Sequence, residues 1–122
     1  MRKIKVVYFD VLNDKRPEVI DINIDTNDDF HKLLNCETVN ITTRSIGGKK
    51  YAIVCDDVGA IKFKHMSVFG YEAQTRIFGN VIIANAKGED LDSLSLVDVV
   101  RIFTRVGTFT TNVRRPIILS DY

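Results

Sequence analysis

The residues with the widest chemical repertoire lie between Lys64 and Arg76, in the run KHMSVFGYEAQTR. His65 and Glu72 are of the types that serve as general acid or base. Phe69 and Tyr71 offer aromatic faces, and Gln74 and Arg76 add hydrogen bonds and charge. Aromatic faces with a few polar groups make a binding loop. The competing reading is a plain long connection whose Met66 and Phe69 tuck into the core. A second group of candidates is basic. Arg101 and Arg105 share one face of a predicted helix, and Arg114 and Arg115 follow in the tail. Arg44, Lys49, Lys50, Lys62 and Lys64 flank a predicted hairpin. If they converge, they hold a phosphate or an acidic protein surface. If they disperse, they are a solvated basic face.

Motifs of established chemistry do not appear. Gly47-Gly48-Lys49-Lys50 reads as a hairpin turn and not a phosphate loop, and no G-x-S-x-G elbow occurs. Cys55 and His65 have the types of a nucleophile and its base, but Cys55 falls in a predicted strand, where a buried thiol is expected. Cys36, Cys55, His31 and His65 lack the spacing of a zinc site, and two cysteines make no disulfide framework. Asp56-Asp57-Val58-Gly59 has too few oxygen ligands for calcium. Asp28 and Asp29 resemble a carboxylate pair and read better as acids at the positive end of a helix. No cofactor and no metal is expected. The reading is a non-enzymatic protein that acts by binding. The rival is a small hydrolase of a phosphate-bearing ligand, with His65 or Glu72 as acid or base.

The elements that would position these groups fit one domain over residues 1–122, with 45% hydrophobic and 27% charged residues. The net charge of +1 argues against a DNA mimic and against a strongly basic nucleic-acid binder. Charge is uneven, however: from Val99 to Ser120 there are four arginines and no acid. No apolar run approaches the roughly 20 residues of a membrane span. The opening MRKIKVVYFDVL is cut by Asp10 and reads as a first strand and not a signal peptide, so a cytoplasmic location in the bacterial host cell is expected.

Ile77 to Asn85 reads as a central strand, because Val81, Ile82 and Ile83 form an unbroken apolar run; Gly79 marks a bulge or a close neighbour. Ser95 and Asp98 have capping-box spacing, and Leu96, Val99, Val100 and Phe103 recur as an apolar stripe. Lys3 to Asp10 and Glu18 to Ile24 read as hairpinned strands. Phe30, Leu33 and Leu34 give a short helix ending near Asn35. Gly47-Gly48 joins two strands, and Ala60 to Lys64 reads as a short extended piece. Residues 107–122 form an apolar tail that either adds an edge strand or packs on another subunit, making a homo-oligomer. The expected fold is α+β: an antiparallel sheet of five or six strands with two helices packed on one face.

The chain resembles a family of small uncharacterised phage, plasmid and mobile-element proteins known as a domain of unknown function. The resemblance rests on Lys3-Ile4-Lys5-Val6-Val7, Pro17-Glu18-Val19, Leu33-Leu34, Gly79-Asn80-Val81-Ile82-Ile83, Gly88-Glu89-Asp90 and Ser93-Leu94-Ser95. Where that family usually carries an Asn-Arg pair, Lys64-His65-Met66 stands here. The resemblance implies a mobile-element setting, in which small accessory proteins often inhibit bacterial defence. The expected partner is then a host defence protein; the alternative is a small nucleotide signal of host defence, sequestered by an oligomer. Specific DNA binding and membrane attachment are not expected.

Overall fold

The computed structural model describes residues 2–10, 13, 17–62, 66–70, 75–88, 90–105 and 117–119. In chain order the elements are β1 (Lys3–Phe9), β2 (Glu18–Asn23), α1 (Asp28–Leu34), β3 (Val39–Ile46) and β4 (Lys49–Asp56). There follow α2 (Gly59–Lys62), β5 (Met66–Gly70), β6 (Thr75–Phe78), β7 (Val81–Lys87), β8 (Asp90–Asp92), α3 (Leu96–Arg105) and β9 (Ile117–Leu119). The fold is α+β. Six of the strands form an antiparallel sheet in the order β2-β1-β7-β4-β3, with β8 paired to β7. A smaller sheet has the order β6-β5-β9, in which β9 runs parallel to β5.

The central strands explain the layering. Alternate residues of β1, β4 and β7 divide between two apolar clusters. Ile4, Val6, Tyr8, Ala52, Val54, Ile82 and Ala84 point to one face. Val7, Phe9, Tyr51, Ile53, Cys55, Val81 and Ile83 point to the other. A sheet apolar on both faces needs a cover on each. Phe30 and Leu34 of α1 close the first face. Ile102 of α3, with Val99 and Phe103 beside it, closes the second together with Ile77 of β6. The expectation of two helices on one face is therefore corrected: α1 and α3 lie on opposite faces.

Two further expectations change. The run from Ile77 to Asn85 is not one strand. Gly79, with φ of 88°, turns the chain out of the small sheet at Phe78, and Asn80 leads it into the central strand β7. The positive φ suits glycine, which lacks a Cβ to clash. Ala60 to Lys64, read as extended, begins with the single helical turn of α2. That turn packs tightly on β6: a Cβ on Gly59 would lie 2.6 Å from the Phe78 carbonyl oxygen. Gly59→Ala is expected to cost about 2 kcal/mol, since a backbone atom has to move aside. Urea unfolding of the variant checks this.

Several local readings hold. Gly47 and Gly48 take φ of 60° and 84° and close the β3–β4 hairpin. Helix α1 ends on Asn35 in the left-handed conformation. Cys36 is half-buried and Cys55 buried, both as free thiols.

Candidate functional site

Helix α3 is placed by its first turn. The backbone N–H and the hydroxyl of Ser95 donate to Asp98 Oδ2 at 3.0 and 2.9 Å, and the Asp98 N–H returns a bond to Ser95 Oγ at 3.1 Å. This is the expected capping box, but its carboxylate does more than cap. Asp98 Oδ1 also accepts from Lys49 Nζ at 2.8 Å, Tyr51 Oη at 2.7 Å and Arg101 Nη1 at 3.2 Å. Arg101 Nη1 donates to Tyr51 Oη as well, at 2.8 Å. Burial of the Asp98 carboxyl opposes ionisation. The bonds from Lys49, the Ser95 N–H, Tyr51 and the Ser95 hydroxyl outweigh it and hold the group well below its ordinary range. Burial likewise pushes the Tyr51 phenol up, with the Arg101 bond acting against it.

With Asp98 drawn under the helix, α3 is rotated relative to its expected stripe. Ile102 is fully buried, whereas Leu96, Val97 and Val100 are 79%, 63% and 53% exposed. Leu96 and Val100 were expected inside. Spaced i, i+1 and i+4, the three project from one side of α3. Thr104 continues that side and turns its hydroxyl back onto the Val100 carbonyl at 2.9 Å. Arg101 borders it, and Lys49 stands next to Arg101 across Asp98, with Nζ 5.3 Å from the Tyr51 ring centroid. An outward aliphatic face with two cations at its margin can bury itself in a protein partner. Covering three such side chains is worth roughly 4 kcal/mol before the costs of association.

A second polar network lies at the end of the sheet where β1 finishes and β7 begins. Asn80 Nδ2 is within hydrogen-bond distance of Tyr8 Oη, Asp10 Oδ1 and the Leu33 carbonyl, at 3.0, 3.1 and 3.1 Å. Tyr8 Oη donates to the Leu33 carbonyl at 2.7 Å, and Asn13 Nδ2 reaches both Asp10 oxygens. These groups tie α1 to the sheet and line an open cleft of about 500 Å³ with Glu18, Lys32 and Asn35. Asn35 also borders a neighbouring cleft of about 660 Å³, which includes His31, Cys36 and Lys62. Lys62 is held there by Asp56 Oδ2 at 2.7 Å and the Asn35 carbonyl at 3.1 Å. Burial pushes the Cys36 thiol up and the Cys55 thiol to about 11, each helped by the Asp56 charge, so both are poor nucleophiles at neutral pH.

Burial, and then the Asp10 charge, push the Tyr8 phenol from 10.0 to about 12, against the Asn80 bond. A phenol that ionises later in the fold than in the unfolded chain contributes stability that is fully present below pH 10 and lost as the pH rises through about 12. Urea unfolding across this range is expected to show that fall, and Tyr8→Phe a shallower one.

Of the other expected site residues, three fall in described strands or helix. Phe69 and Arg76 are cross-strand Cα partners in the β5–β6 hairpin, and Arg76 is exposed. The expected loop from Lys64 to Arg76 thus contains strand at both ends. Arg105 is the last residue of α3. His65, Tyr71, Gln74, Arg114 and Arg115 lie outside the described residues. Among the described residues, Lys49 and Arg101 meet on Asp98, Lys62 sits at the other end of β4, and Arg44 Nη1 donates to Thr42 Oγ1 and the Thr43 carbonyl. Sequence reasoning missed Tyr51 and the exposure of Leu96, Val97 and Val100. No local signal could have found them, because the partners that draw Asp98 inward, Lys49 and Tyr51, lie far away along the chain.

Comparison with protein-family models, with curated proteins and with solved structures finds no match for the chain.

Proposed function

We propose that the protein acts by binding another protein, with the outward side of α3 as the contact surface. The observation that carries this reading is the exposure of Leu96, Val97 and Val100 together on one helical side, beside Arg101 and Lys49. Apolar side chains grouped in this way mark interaction sites more often than scattered ones. The cations at the margin favour an acidic rim on the partner. The polar networks support binding over catalysis, since Asp98, Asn80 and Lys62 are engaged in holding elements together. From the resemblance to mobile-element proteins we take the class of partner: a protein of the bacterial host's defence, inhibited by having a surface occupied.

The test is affinity capture from a bacterial host lysate, with the wild type beside the double variant Leu96→Asp, Val100→Asp. Native mass spectrometry follows the captured species. One host protein held by the wild type and lost from a folded double variant supports the reading. Equal capture by both, or a bound nucleotide in place of a protein, contradicts it.

A further inference from the structure

The main sheet has two outer strands, β2 and β3. They differ in the devices that keep sheet edges from pairing, which are charge, proline and bulges. Strand β2, EVIDIN, follows Pro17 and carries Glu18 and Asp21. Strand β3, VNITTRSI, is 8 residues long and carries one charge, Arg44. Its register with β4 runs without a shift from Val39 opposite Asp56 to Ile46 opposite Lys49, so no bulge twists the edge away. Ile41 is 50% exposed on it. Among the described residues, no strand pairs with its outer side.

The backbone groups facing outward can be assigned. Positive φ at both Gly47 and Gly48 makes the two-residue turn in which the closing pair, Ile46 and Lys49, is hydrogen-bonded. In an antiparallel ladder, bonded pairs alternate with unbonded ones. Thr42 and Asn40 are then bonded to β4, in phase with the Asp57 N–H donating to the Thr38 carbonyl at 3.1 Å. Val39, Ile41 and Thr43 direct their N–H and C=O groups away from β4.

We infer that this edge pairs with the same edge of a second copy of the chain, antiparallel about a two-fold axis at Ile41. In that register Ile41 faces the copy's Ile41, Val39 faces the copy's Thr43, and Asn40 faces the copy's Thr42. Outward backbone groups meet outward backbone groups at Val39, Ile41 and Thr43. The axis makes the contact isologous, so it closes at a dimer. Arg44 falls opposite the copy's Thr38 and beside the copy's exposed Glu37, so no like charges meet. On β2 a two-fold axis at Asp21 would set that carboxylate against the copy's own. The inference does not rest on the α3 contact.

Sedimentation of the full chain at about 100 μM, where weak edge contacts are populated, is the test. The wild type is expected at twice its 13.8 kDa mass, with the Ile41 amide exchanging more slowly as concentration rises. Ile41→Lys, which opposes two ammonium groups at the axis, is expected to be monomeric with an unchanged unfolding midpoint. Val19→Lys on β2 is expected to stay dimeric. Thr43→Lys, also at an exposed position, serves the same purpose should Ile41→Lys unfold. A monomeric wild type, or a dimer that survives the β3 substitutions, overturns the inference.

Discussion

Asp98→Ala is expected to destabilise the protein by about 3 kcal/mol, combining a lost helix cap with a buried carboxylate whose donors are left behind. Five hydrogen bonds converge on its side chain, from Ser95, Lys49, Tyr51 and Arg101. The Tyr51 hydroxyl is buried and suffers most, because solvent reaches Lys49 and Arg101 more easily. The pH dependence separates this from a mere packing defect. The Asp98 carboxyl is held well below its ordinary value of 3.8. A depressed carboxylate contributes stability that is fully present above its unfolded pKa and lost as the pH falls toward the folded one. Urea unfolding is therefore expected to show a constant gap between wild type and Asp98→Asn above about pH 5, narrowing below about pH 4. A gap that stays constant into strong acid would show that the carboxylate's charge is not what the network uses.

Ile102→Ala is expected to cost about 3 to 4 kcal/mol, the usual range for truncating a fully enclosed aliphatic side chain. Ile102 is the buried anchor of α3 and sits among Val7, Ile53, Ile83 and their neighbours on the face opposite α1. Val100→Ala, two residues away on the exposed side, is expected to change stability by less than about 0.5 kcal/mol. The contrast within one helix tests which side faces the sheet. Chemical denaturation of the two variants under the same conditions reads it. Equal losses would mean that the outward side of α3 is covered in solution.

Much of the fold was legible in local pattern. Alternation placed Ile20, Ile22 and Ile24 on one side of their segment, and they pack in the cluster under α1. The Gly-Gly turn, the Asn35 terminus and the Ser95–Asp98 box were readable because each is a property of a few adjacent residues. The arrangement of layers was readable in principle. An apolar run such as Val81-Ile82-Ile83 implies cover on both faces, which two helices on one face cannot supply. The break at Gly79 was hidden because β-branched and aromatic residues flank it on both sides, and only tertiary pairing decides which sheet each side joins.

The candidate site was the least legible part. Leu96, Val99, Val100 and Phe103 fit an inward stripe at helical spacing, and so do Val99, Ile102 and Phe103. What decides between them is Asp98. Its partners Lys49 and Tyr51 lie 49 and 47 residues away along the chain, on the start of β4. No window along the sequence contains that choice. Because a buried carboxylate with good partners is fixed in place, it turns the helix so that two residues expected in the core face outward.

If the outward side of α3 meets a host protein, as proposed, a photoreactive side chain placed on it joins the two. The most direct measurement is photocrosslinking in host lysate, with a photoreactive side chain carried at position 97 and, as control, at exposed position 21 on β2. One host protein is expected to be joined through position 97 and not through position 21, and to be lost when unlabelled wild type competes. Crosslinks through position 21 alone, or the same protein joined from both positions, would contradict it.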